Sequence, residues 1–210
     1  MKHTRLDQLS DGIFAIVMTI LVFEIKAPII ATSSNSFELY LAIKAMTPIF
    51  LSYLLSFSLL FTYWRAHHFF VSVYAKNIDS NLTNLNALFF LFVALVPFTT
   101  SLLGEYSNNQ LSIIIFGINT MIIGLCLFFI RSYVFKSDHI HNIEVTKEEI
   151  HRGTIRIFVP VLFAFLAILL SFVNTDLSLG LFTAAVLFNF SHTSTQLINK
   201  FWGEPITTKD

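Results

Sequence analysis

Apolar residues gather along the chain in six stretches, each bounded by clusters of charged and polar residues. A helix needs about 20 mostly apolar residues to cross a hydrocarbon core about 30 Å thick, and stretches of about that length lie at 10–30, 39–64, 82–103, 111–130, 155–173 and 177–197. The pattern predicts an all-α polytopic membrane protein: one domain over residues 1–210, six transmembrane helices and no soluble domain. Pro48, Pro97 and Pro160 fall inside predicted spans and should kink rather than break them, because bundled helices can satisfy the carbonyls a proline frees. The longest polar stretch, 136–152, is expected to be a loop with a short helix over 145–152.

Composition agrees with that reading and narrows it. Of 210 residues, 55% are apolar and only 12% charged, with a mean hydropathy of +0.71. A soluble protein carries about 25% charged residues, so most of this surface must face lipid. Net charge is zero, with 13 basic and 13 acidic residues, which leaves no bulk attraction for nucleic acid. Their distribution is uneven. With six spans both termini share a side, and that side holds Lys2, Arg5, Arg65, Lys76, Arg131, Lys136, Lys147, Arg152, Arg156, Lys200 and Lys209, leaving only Lys26 and Lys44 opposite. By the positive-inside rule both termini are cytoplasmic in a cell membrane. The acidic start of the first span and the lack of a small-residue cleavage pattern argue against a cleaved signal peptide. The lone Cys126 can form no internal disulfide.

Charged groups at membrane depth are costly and mark function, which singles out the first span. On a helix turning about 100° per residue, Ile16, Ile20 and Phe23 lie within about 60° of one another, with Gly12 on the same side and Thr19 at its edge. Asp11 points about 140° away from Ile16 by the same geometry, toward neighbouring helices where it needs a donor. Such a stripe serves equally to pack against another helix. The end of the second span offers donors in Trp64, Arg65, His67 and His68, which read either as an interfacial anchor or as a proton-sensing cluster. Asn81, Asn84, Asn86, Asn119 and Asn189 read as interhelical hydrogen-bonding groups. His139, His141 and His151 have irregular spacing and no Cys or carboxylate constellation, so no metal site is expected. There is no Gly-x-Ser-x-Gly, no His-Glu-x-x-His and no pair of membrane aspartates, hence no intramembrane enzyme and no cofactor. A proton-coupled secondary transporter of a small cation or solute is the remaining alternative; it lacks an internal repeat between residues 1–104 and 105–210 and paired broken helices.

The segment Arg5-x-x-x-Leu9-Ser10-Asp11-Gly12-Ile13-Phe14-Ala15-Ile16-Val17-Met18-Thr19 resembles the R-x-x-x-F-S-D signature and pore helix of the transmembrane-protein-175 family of potassium channels, with Leu9 in place of Phe. Trp64-Arg65-Ala66-His67 is similar to the family's W-x-x-H. The resemblance implies a homotetramer conducting potassium ions through a central pore lined by the first helix of each subunit, without a filter of the T-V-G-Y-G kind. It assigns Ile16 to the constriction, extended by Ile20 and Phe23, and Thr19 with Ile16 to selectivity. It gives Arg5, Ser10, Asp11, Trp64 and His67 the role of holding the pore helix at its cytoplasmic end. Glu24 would ring the outer mouth with four carboxylates.

Overall fold

In the computed structural model, residues 3–31, 35–137, 139–140 and 147–190 are described, and their regular elements are all helical. Helix α1 (His3–Ile20) runs on through a 3-10 turn (Leu21–Glu24). It is followed by α2 (Ser36–Ala45), α3 (Thr47–His68) with a π-helical turn (Phe69–Val73), α4 (Ser80–Ala94), α5 (Val96–Glu105), α6 (Gln110–Lys136), α7 (Lys147–Ser171) and α8 (Thr175–Phe190). Four helical segments among the described residues are long and apolar enough to cross a bilayer: Thr4–Glu24, Thr47–Val73, Ser80–Glu105 and Gln110–Lys136, with Ile157–Ser171 a shorter apolar helix.

The spans differ from the hydropathy pattern where backbone chemistry intervenes. The first begins earlier and ends at Glu24, short of residue 30: Ile25 is extended at φ −89° and ψ 90°, and Pro28 holds the residue before it out of the helical region. The second does not start near Leu39. One residue, Met46, separates α2 from α3, and Pro48 stands in the first turn of α3. Proline cannot donate to the carbonyl four residues back, and the Lys44 carbonyl is met instead by the Thr47 hydroxyl at 2.6 Å. Helix α2 is capped by Asn35, whose side chain accepts from the Phe37 and Glu38 amides, and buries no residue.

Pro97 has the same effect in the third span, interrupting the helix at Leu95 between α4 and α5. Here the kink is bridged from outside: Asn119 of α6 donates its side-chain amide to the Phe92 carbonyl at 3.3 Å. In α7, by contrast, Pro160 lies inside a continuous helix. The fourth span runs six residues past 130, to Lys136. Of the separate helix expected over 145–152, residues 147–152 are instead the first part of α7, and 145–146 lie outside the described residues. Of the sixth span, 191–197 lie outside the described residues.

The core forms where α6 meets α4, α5 and α7, and where α3 meets α5 and α8. Tyr63 and Phe116 are fully buried there, and Cys126 is buried in α6 as packing. Tyr63 donates its hydroxyl to the Thr120 carbonyl at 2.9 Å, and Thr100 donates to Ser56 at 2.6 Å. These bonds satisfy hydroxyls that would otherwise be stranded in an apolar interior. Glycine sets the closeness of α6 and α7: a Cβ on Gly124 would collide with the Val161 Cγ2 atom. Gly124→Val should therefore force the two helices apart and destabilise the fold by about 1–3 kcal/mol. Gly180→Ala, where a Cβ meets nothing within 4 Å, should be neutral or stabilising. Thermal melts of the purified protein in detergent compare the two.

Candidate functional site

Helix α1 has two unlike faces. Leu6, Ser10, Phe14, Val17 and Leu21 recur every three or four residues and are all buried, packing on α3 and α4, with the following 3-10 turn against α3 and α5. Phe14 lies against the His67 and Phe89 rings, at centroid distances of 6.3 and 5.9 Å. The opposite face is uncovered: Ile16 is 58% exposed, Ile20 39% and Phe23 73%, with Leu9 at 48% on the same side. A Cβ on Gly12 would meet nothing within 4 Å. Only 28% of the apolar window of this span is buried within the chain, against 44–56% for the other three.

Polar groups pin the buried face. Ser10 Oγ lies 3.0 Å from His67 Nδ1, and His67 Nε2 lies 2.5 Å from Asn86 Oδ1. Asn86 spends its amide nitrogen on the Leu82 carbonyl at 2.7 Å, so its oxygen must accept from His67 Nε2–H. That leaves the Nδ1 lone pair to accept the Ser10 hydroxyl proton. Three helices are thereby joined through one imidazole, which also stacks on Phe89 at 5.1 Å and 8°. Two further bonds hold the edges of α1: Trp64 Nε1–H donates to Asp11 Oδ1 at 2.9 Å, and Ser72 Oγ–H donates to Asp7 Oδ1 at 2.7 Å.

Of the residues expected to hold the helix, the structure brings together Ser10 with His67 and Asp11 with Trp64. Asp11 sits at the exposed margin, whereas Ser10 is buried. Arg5 is exposed on the first turns of α1, and both ring nitrogens of His67 are already engaged, so Arg5 stands outside this bonded set. Thr19 is exposed and donates its hydroxyl to the Ala15 and Ile16 carbonyls at 2.9 and 2.8 Å. Glu24 is half-buried at the end of the 3-10 turn. Asn86, Asp7 and Ser72 were not singled out as helix-holding residues in the sequence. The available signal for Asn86 was its phase, since it shares a helical face with Leu82, Phe89 and Val93, all buried. Asn84 is exposed, Asn81 donates to the Tyr133 hydroxyl, and the Asn189 side chain lies outside the described residues. Among the described residues, no group of three or more His, Cys, Asp or Glu side chains could hold a metal ion.

Residues 5–97 match a family described as the endosomal/lysosomal potassium channel TMEM175, a segment that contains every member of the bonded set. A potassium channel of Streptomyces collinus is 35% identical over 106 residues, half of each chain, and one of a Chryseobacterium strain is 27% identical over 188 residues, 89% of this chain and 92% of that one. The crystal structure of a lysosomal potassium-selective channel TMEM175 homolog from Chamaesiphon minutus superposes with a TM-score of 0.74 at 25% identity, over 89% of this chain and 95% of that one. Over residues 5–97 the chain is similar to the TMEM175 family. Its match spans about half the length of the Streptomyces relative. The TMEM175 family is one of ion channels, not enzymes, so the two-faced α1 is weighed as part of a channel.

Ser10→Ala should cost about 1–3 kcal/mol, because His67 Nδ1 loses its donor in a buried site. Leu9→Ala, on the uncovered face, should change the stability of the single chain by less than about 0.5 kcal/mol. Detergent unfolding curves that show equal losses would contradict the asymmetry of α1.

Proposed function

We propose that the chain is a potassium-permeable, leak-like channel in which four copies surround one central pore with their α1 helices, each subunit crossing a cell membrane six times with both termini cytoplasmic. The observation that carries this reading is α1 itself, held to its own bundle along one face by polar bonds and left uncovered along an apolar stripe on the other. A helix buried by a bundle on one side still presents a stripe that another surface can cover. The relatives named as potassium channels support the choice of ion.

Ile16 then forms the main constriction, with Ile20 and Phe23 extending it outward. An apolar ring of this kind gates by dewetting. Thr19 supplies the polar counterpart. Its hydroxyl proton is committed to the backbone, so its oxygen turns lone pairs outward, the polarity needed to replace part of a cation's hydration shell. Glu24 lies one turn beyond, where four carboxylates would raise the local cation concentration. Asp11 is bonded to Trp64 and off the stripe, which suits a supporting role rather than ion ligation. Potassium is the permeant ion, and the mechanism calls for no cofactor.

Ile16→Asn should hydrate the constriction and either raise leak severalfold or bring the reversal potential in asymmetric potassium and sodium toward zero. Liposome flux and bilayer recording measure both. Uptake that is strictly proton-coupled and substrate-dependent would instead establish the secondary-transporter reading.

A further inference from the structure

The connections that follow α3 and α6 are clasped together beside the N-terminus of α4. Lys76 N–H donates to the Ile140 carbonyl at 2.7 Å, and Asn77 Nδ2 to the His139 carbonyl at 2.9 Å. Ile140 is fully buried. At the centre stands Asp79. One carboxylate oxygen caps α4 by accepting from Leu82 N–H at 2.8 Å. The other accepts from the Tyr133 hydroxyl at 2.5 Å and faces His139 Nε2 at 3.4 Å. Asn81 in turn donates to the Tyr133 oxygen at 3.2 Å, which polarises the tyrosine toward the carboxylate. The clasp lies at the end of the bundle where α1 begins, since Asp7 is bonded to Ser72 just before it.

This clasp is connected to the site behind α1 by an unbroken series of hydrogen bonds. Asp79 accepts from Leu82 N–H, and Leu82 C=O accepts from Asn86 Nδ2. Asn86 Oδ1 accepts from His67, and His67 Nδ1 accepts from Ser10 on α1. Four of these five groups are buried and the fifth, Asp79, is a helix cap, so a shift at the α4 N-terminus is passed on rather than absorbed by solvent.

We propose that Asp79, Tyr133 and His139 form a proton-sensitive latch that, through Leu82, Asn86 and His67, biases the position of α1. Its link to conduction rests on the channel reading above. Histidine changes charge between about pH 5 and 8, and an imidazolium donates to a carboxylate more strongly than neutral imidazole does. Partial burial works to raise the Asp79 carboxyl, but hydrogen bonds from Tyr133, Leu82 N–H and His139, with the charge of His139, hold it below the usual carboxylate range. Asp79 therefore stays ionised through the range in which histidine titrates. The latch tightens as His139 gains a proton and slackens as pH rises. It fails at the acid end only when pH falls through the lowered Asp79 value. Among the described residues, the other titratable groups on the clasped segments are Lys76, whose backbone amide bonds the Ile140 carbonyl, the buried Tyr74, and Lys136 at the end of α6.

Two readouts on the full chain in liposomes test the latch and the relay separately. Hydrogen exchange over residues 74–82, corrected for intrinsic rates, should be about two- to fivefold slower at pH 5.5 than at pH 8, the factor expected for an exposed ion pair. The difference should vanish in His139→Gln, whose side chain is exposed and packs into no core, and in Asp79→Asn. Potassium flux should change with pH on the side where α1 begins, and Ser10→Ala should abolish that response while leaving the exchange difference intact. Protection that ignores pH in the wild type, or survives unchanged in His139→Gln, overturns the latch. A flux response that persists in Ser10→Ala overturns the relay. A pH step in protection with no potassium flux in any variant upholds the latch and overturns the channel reading alone.

Discussion

A polar group removed from water must find a partner inside the protein or cost several kcal/mol, and the arrangement of α1 follows from that requirement. Ser10 is buried in the interior of a helical bundle. Its hydroxyl needs an acceptor, His67 supplies one, and the imidazole can do so only because Asn86 takes the hydrogen on its other nitrogen. Each member would be unsatisfied without the next. The rotation of α1 about its axis is therefore fixed: a turn that moved Ser10 away from His67 would orphan two buried groups at once, the serine hydroxyl and His67 Nδ1. Once the rotation is fixed, so is the identity of the face left over, and Ile16, Ile20 and Phe23 lie on it.

The same requirement explains how the bundle tolerates its prolines. Pro48 and Pro97 each remove a backbone donor, yet the carbonyls nearby are met by a hydroxyl one turn on, Thr47 to Lys44, and by an amide from another helix, Asn119 to Phe92. These solutions have different consequences. A bond local to the α2–α3 junction leaves α2 free to diverge, and it does, burying nothing. A bond from α6 ties the kink to a neighbour, and α4 and α5 remain one apolar segment, Ser80–Glu105. Asn119 thus belongs to the fold rather than to a site, as does the hydroxyl pair Thr100 and Ser56.

Much of this was legible in the sequence, and the misses share a cause. Hydropathy finds apolar runs because burial in lipid depends on side-chain transfer energies. It does not register where the backbone ladder stops, so the apolar pattern carries the first span six residues too far and joins the second across Met46. The phase argument for α1 put Ile16 and Asp11 on different faces because helix geometry is local. It could not say that Ser10, not Asp11, would be the buried member, since that depends on how deeply α3 and α4 approach. The Trp64-Arg65-Ala66-His67 segment was identified because its residue types are rare in apolar helices. Asn86 was read only as a generic interhelical group, because its role needs His67 from a helix 19 residues away.

The division of labour within α1 also accounts for why so little charge suffices in a chain only 12% charged. The Asp7 and Asp11 carboxylates each accept from a neutral donor, Ser72 and Trp64. A neutral donor fixes direction without requiring a second ion to be drawn from water. Basic residues then gather near helix ends, as Lys44, Arg65 and Lys136 do. The polar bonds hold α1 from behind at one end of the bundle, and the uncovered apolar stripe runs past them toward the other. The residues that position the helix and the residues it presents thus occupy different faces, so either set can change without dismantling the other.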